Sequence, residues 1–270
     1  MFPALRTTVM VHLKFYRRDK ILLGAVISIF LILSLSLIPS LFFISSSDRL
    51  ATIKTVFQQL STFAYLVTAV AVMLGVSDQI RNRSIKMVLT KPFPPEAWLL
   101  SVLLSGLIVA AVSYAGILLA CSILFGIWGI PYQWGLLFVT ANDFMQTLIL
   151  VSYMTLLAVV FHPVLAAFFA ILFHESSFYM LKLLLNGGIQ AVGEGSVSFG
   201  LKTIRGIVDV VYLATPALTP FSRETETIYS SLRLEDGSVR YLGLAFVYVF
   251  VSSTFFFLLA AYFLKKKRLT

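Results

Sequence analysis

Long apolar runs separated by short polar islands set the pattern of this chain. Ile21 to Ile44 holds no charged residue, and further runs of spanning length lie at about 57–77, 97–125, 136–161, 164–185 and 241–264. A helix needs roughly 20 apolar residues to cross a hydrocarbon core of about 30 Å, so the pattern predicts six transmembrane helices. Ahead of them, Phe2, Leu5, Val9, Leu13 and Tyr16 recur three or four apart, with Arg6, Lys14, Arg17, Arg18 and Lys20 between them. That spacing predicts a basic amphipathic helix over 1–20, too polar to span and suited to lying in the headgroup layer with its apolar side in the acyl chains.

The breaks in the pattern predict the connections. Asp48, Arg49 and Lys54 mark a short exterior loop, and Gly126-Ile127-Trp128-Gly129-Ile130-Pro131 has the punctuation of a turn. Trp128, Tyr132 and Trp134 beside it suit an interfacial aromatic belt. His162-Pro163 is a tight turn. In the exterior region 186–240, glycines break the first part, and Leu201 to Phe221 is too polar to span and too apolar for a free loop; it reads as short helices leaning on, or dipping into, the outer leaflet, followed by a polar turn around Asp236-Gly237. The first run exceeds a signal-peptide core of about 7–15 residues and has no A-x-A site after it, so it reads as an uncleaved span.

Composition places the chain in its class. It is 59% hydrophobic and 12% charged, whereas soluble domains carry about a quarter charged residues. The expected architecture is an all-α integral membrane protein, one transmembrane domain over 1–270. The formal charge of +9 is no nucleic-acid signal here, because thirteen of the 21 Lys and Arg residues fall in the N-terminal helix, the 78–96 segment and the Lys265-Lys266-Lys267-Arg268 tail. Basic residues collect on the cytoplasmic side and meet anionic headgroups, which puts both termini and the 78–96 loop in the cytoplasm.

Catalytic chemistry is sparse. The chain contains no G-x-x-x-x-G-K-[ST] phosphate loop, and His174-Glu175 is followed by Ser-Ser-Phe rather than a second zinc-spaced histidine. His12, His162 and His174 have no metal-ligand spacing, and Cys121 is alone in an apolar run. No enzyme, cofactor or metal is expected on this chain. His174 and Glu175 fall about 16 Å past Pro163 at 1.5 Å per residue, near the bilayer midplane. Ionisable groups there mark a functional site by default; the plainer reading is a pair satisfied by Ser176, Ser177 or a neighbouring helix. Asp143 is expected near the outer interface, capping the fourth span together with Asn142.

The 78–96 island carries the strongest functional signal. Arg81, Arg83 and Lys86 offer charge steering, Ile80, Ile85, Met87 and Val88 offer apolar anchors, and Pro92, Pro94 and Pro95 end the segment and stiffen the turn into the third span. An ordinary positive-inside anchor is the alternative.

This order of parts resembles the membrane subunit of ABC-2-type transporters, closest to stand-alone bacterial permeases, over essentially the whole chain. Asp78, Ser84 and Thr90-Lys91-Pro92 match the family's outline between the second and third spans. Arg83 stands where Gly is usual, Pro94-Pro95 where Ser-Arg is usual, and the early Gly-Lys of the third span is replaced near Ser101-Val102.

The resemblance implies a coupling helix at 78–92 that inserts into a separate ATPase subunit, with Asp78, Ile80, Arg81, Arg83, Ser84, Ile85, Met87, Val88, Lys91 and Pro92 at the contact. It further implies two copies of that ATPase, which hold ATP and Mg, a second copy of this or a related permease, and export across a bacterial cell membrane. An interface built by the first, second and fifth spans would put His174 and Glu175 near the translocation path. The competing expectations are a self-sufficient secondary transporter or channel using His174 and Glu175, and a membrane-embedded enzyme using the same pair.

Overall fold

The computed structural model describes residues 2–18, 27, 49–81, 94–172, 180–181, 183–185, 199–216, 218, 221 and 238–268. Among them all regular structure is helical: α1 (Phe2–Arg18), α2 (Arg49–Arg81), α3 (Pro95–Trp128), α4 (Gly135–Val160), α5 (Pro163–Leu172), α6 (Phe199–Ala214) and α7 (Ser238–Arg268). Four of these, α2, α3, α4 and α7, are long and apolar enough to cross a membrane. The chain is a membrane-embedded helical protein. The first predicted span, 21–44, lies outside the described residues apart from Ile27, and the fifth is described from Pro163 to Leu172 and at a few helical positions between 180 and 185.

Several boundaries differ from those read in the sequence. Arg49 and Lys54 belong to α2 rather than to an exterior loop. No Gly or Pro interrupts the chain from Arg49 to Leu74, and the Thr55 and Thr62 hydroxyls donate to carbonyls four residues back at 3.0 and 2.9 Å. The polar residues therefore satisfy themselves inside the helix and leave no reason to end it. At its other end α2 runs on through Asp78 to Arg81, so the loop between the second and third spans starts later than the polar island does.

Pro94 and Pro95 act as a start signal. Pro94 is extended at φ −66°, ψ 140°, and Pro95 occupies the first helical position of α3, where a missing N–H costs nothing. The far end of α3 closes at Gly129 in the left-handed region, φ 64°. The Gly129 N–H bonds the Gly126 carbonyl at 3.3 Å and the Ile130 N–H reaches back to Phe125 at 3.0 Å, the paired bonds of a Schellman ending. Gly126 itself remains helical, so the turn begins three residues later than its sequence punctuation suggested. His162-Pro163 does form the expected tight turn: α4 stops at extended Phe161, and the Ala166 N–H bonds the His162 carbonyl at 2.7 Å to open α5.

α4 is the axis of the bundle. Its most apolar stretch is 72% buried, against 28% for α7 on the rim. One apolar cluster joins α4 to α2, α3 and α7 through residues such as Val72, Trp98, Ile149, Val159 and Phe256; a second, toward the other end, joins Phe57, Leu60, Ile117, Phe125 and Val139. Small residues on α3 set how near the helices come. A Cβ placed on Gly106 would lie 2.5 Å from Val72 Cγ2 and 3.2 Å from Val151 Cγ1, so α2, α3 and α4 converge there at a separation only glycine permits. Small residues bring membrane helices into this kind of contact, where packing replaces the hydrophobic driving force.

Candidate functional site

The loop singled out in the sequence is rooted in a three-helix junction. α1 is helical as its periodicity predicts, but its apolar face is packed on protein. Val9 and Tyr16 are buried against the bundle and His12 is buried between them, while Met10 and Val11 face outward. The expected burial of the Val9–Tyr16 face in acyl chains is thus corrected: α2 and α3 supply a better-fitting apolar surface than lipid does.

A closed circuit of hydrogen bonds holds this junction. The Trp98 indole N–H, a donor only, gives its proton to Gln79 Oε1 at 3.0 Å. That fixes the Gln79 amide, whose Nε2 then donates to His12 Nδ1 at 2.9 Å. His12 is therefore protonated on Nε2, which donates to Ser101 Oγ at 3.1 Å. The Ser101 hydroxyl donates to the Trp98 carbonyl at 2.6 Å and closes the ring. The His12 and Trp98 rings also meet edge to face, with centroids 6.2 Å apart. Burial lowers the His12 pKa to about 4, so the imidazole is neutral near pH 7, as the circuit requires.

One turn further along, a second rung repeats the arrangement. Tyr16 of α1 lies against Gly75 of α2, and its phenol oxygen stands 3.5 Å from the Ser105 hydroxyl oxygen of α3. Burial raises the Tyr16 pKa, opposed in part by the Ser105 contact. The steps from His12 to Tyr16, from Gln79 back to Gly75 and from Ser101 to Ser105 are each four residues, so α1 advances alongside α3 and antiparallel to α2.

The structure gathers only part of the predicted docking set. Asp78 and Arg81 lie in the last turn of α2. Ile80 is half-buried and leans on the main apolar cluster, which uses it as a packing residue. Arg83, Ser84, Ile85, Met87, Val88, Lys91 and Pro92 lie outside the described residues, as do His174 and Glu175. Glu96, in the first turn of α3, forms an ion pair with Lys265 near the end of α7, tying the C-terminal basic run to the same junction.

A second polar cluster lies deeper, and it corrects the expectation for Asp143. This residue is two turns inside α4, about 12 Å from Gly135 at 1.5 Å per residue, and it is buried. The first turn of α4 has no side-chain cap. Ser61 of α2 donates to Asp143 Oδ2, and the Thr147 hydroxyl donates to the Asp143 carbonyl at 2.9 Å. Since Thr147 has spent its proton, the Tyr114 phenol of α3 is the donor in the 2.9 Å contact between their oxygens. Asn142 points elsewhere, its Nδ2 bonding the Phe221 carbonyl at 2.8 Å. A carboxylate deep in a membrane helix is costly unless hydrogen bonds surround it, and here α2, α3 and α4 each contribute to its surroundings.

Sequence reasoning overlooked both clusters as units. His12 could have been found, because it falls on the Leu5–Val9–Tyr16 face and so interrupts an apolar stripe. Thr147 is one turn from Asp143, but Ser61 stands 82 residues away and Tyr114 stands 33 residues from Thr147, so neither carries a local signal. Among the described residues no group of three or more His, Cys, Asp or Glu side chains is arranged to hold a metal. Comparison with protein-family models and with curated proteins finds no match to this chain.

Proposed function

We propose that this chain is the transmembrane subunit of an ATP-driven exporter of the ABC-2 type, coupled to a separate ATPase through the segment that joins α2 to α3. The observation that carries this reading is the anchoring of that segment at its roots: Gln79 before it and Trp98 after it are bonded to each other and, through His12, to a third helix. Such a base ties both ends of the loop to the bundle, which suits a loop that passes force into it. The basic residues Arg81, Arg83 and Lys86 with the apolar Ile85, Met87 and Val88 give that loop the composition of a protein-docking surface. In this reading ATP and Mg bind the partner, two permease chains pair, and the chain resides in a bacterial cell membrane with both termini in the cytoplasm.

The test is purification of the tagged chain from its native membrane. An ATP-hydrolysing subunit is expected with the wild type and is lost, or its activity uncoupled from transport, on combined Arg81→Glu and Arg83→Glu substitution. Unchanged assembly and activity in that variant would remove the docking role.

The Asp143 cluster favours one other reading, an ion-coupled secondary transporter, since a hydrogen-bonded carboxylate inside a helical bundle suits a coupling-ion site. Ion-gradient-driven flux in proteoliposomes containing this chain alone would establish it in place of the first, and would also suit the sequence-based expectation for His174 and Glu175.

A further inference from the structure

α3 has 34 residues and so extends about 50 Å at 1.5 Å per residue, roughly 20 Å more than a hydrocarbon core of about 30 Å needs. Its surface shows which end is surplus. From Ser101 to Leu107 no side chain is exposed, whereas Ile108, Val112, Leu119, Ile123 and Ile127 form an open apolar stripe along the rest. Twenty residues counted back from Trp128, near the aromatic group Tyr132 and Trp134, also end at Ile108. Counting from the aromatic group thus puts one edge of the hydrocarbon at the turn of α3 where the open stripe begins.

α1 covers the surplus and stops at that edge. Its Tyr16 packs with Val109 of α3, so Arg17 stands at the level where the open stripe begins. With Val9, His12 and Tyr16 turned inward, Arg6, Met10, Lys14 and Arg17 fall in one line on the outward face and are exposed. α1 contains four Lys or Arg residues and no acidic residue. Met10 adds an apolar contact between the charges.

We propose that the outward face of α1 is a binding surface for anionic phospholipid headgroups of the leaflet at this end of the bundle, with Lys14 and Arg17 as its contacts. Lys and Arg placed at this depth extend along apolar surface while holding their charge among the phosphates. The placement makes α1 a bracket: one face is bonded to α2 and α3, and the other is held by lipid. This inference requires only that the chain is embedded in a membrane and is independent of any ATPase partner.

The experiment is native mass spectrometry of the full chain released from nanodiscs of equal phosphatidylglycerol and phosphatidylcholine. Wild type is expected to retain phosphatidylglycerol preferentially, with the preference falling as salt is raised. Neutralising Lys14 and Arg17 together, each to Gln, is expected to abolish it, and Arg17→Gln alone to lower it about fivefold. Both side chains face outward, so the unfolding midpoint in detergent should not move. Equal retention of the two lipids by wild type overturns the proposal, as does an unchanged preference in the double variant. Displacement of the bound lipid by free glycerol phosphate would make this a soluble-anion site and also overturn it. Loss of preference on Lys266→Gln with the double variant unaffected would assign the effect to the C-terminal basic run instead.

Discussion

Tyr16 rests on Gly75, with the ring edge (Cε1) 2.9 Å and the phenol oxygen 3.1 Å from where a Cβ on Gly75 would stand. The contact locates α1 on α2, because the ring is fully buried and has little space into which to move.

Gly75→Ala should therefore loosen α1 while leaving the spans in place. Overpacking of this kind costs about 1–3 kcal/mol. Limited trypsin digestion in detergent should show faster cleavage at Lys14 and Arg17, and Tyr16→Leu in the same chain should restore part of the protection. Identical digestion of Gly75→Ala and wild type would mean that α1 is held from elsewhere.

Acid should weaken the same junction. The His12 pKa is about 4 when docked, below its ordinary value of 6.5, because burial disfavours the charged ring. Undocked α1 therefore binds more protons between these values, and docking is fully stable above about pH 6.5 and declines as pH falls toward 4. The full loss is at most about 3.5 kcal/mol, the difference between 6.5 and about 4 at about 1.4 kcal/mol for each tenfold change in proton affinity. Thermal unfolding in detergent between pH 7.5 and 4.5 should show this decline in wild type. His12→Gln, which keeps an acceptor and a donor but does not titrate, should show a flatter profile.

At Asp143 the order of damage among substitutions is informative. Asp143→Asn keeps an oxygen for the Ser61 proton and should cost little. Asp143→Leu strands the Ser61 hydroxyl in the bundle, and Ser61→Ala removes a donor from a buried carboxylate. Each of those should cost about 1–3 kcal/mol. Unfolding midpoints in one detergent give the ranking directly. A more severe loss with Asn than with Leu would contradict it.

Two glycines of α3 should respond oppositely to alanine. At Gly106 the new methyl meets Val72 and Val151, and a loss of about 1–3 kcal/mol is expected. Gly116 has nothing within 4 Å, so alanine there should be neutral or stabilising by up to about 1 kcal/mol through helix propensity. Paired thermal unfolding curves test the contrast.

The sequence made some features legible and hid others for physical reasons. Hydropathy alone identified α2, α3, α4 and α7, because in lipid the backbone must satisfy itself and long apolar runs have few other options. Pro163 marked its boundary because a missing N–H acts locally, whereas Gly129 was only the middle of a stretch of turn residues. Arg49 and Lys54 misled because charge was taken to end a helix, and α2 simply continues past the apolar run. The periodicity of α1 was plain, but periodicity gives an apolar face without naming what covers it. His12 and Asp143 were visible as residues, while their partners depended on which helices the bundle sets side by side.

The ring through Trp98, Gln79, His12 and Ser101 has a mechanical consequence. Each member both gives and receives, so opening a bond at buried His12, Trp98 or Ser101 leaves a donor or acceptor inside the protein without its partner. The junction thus has one well-defined closed setting and resists partial release. Gln79 at the end of α2 is joined to Ser101 in α3 through the imidazole, a path that bypasses the intervening chain. The two helix ends thus share one imidazole as their common hydrogen-bonded partner.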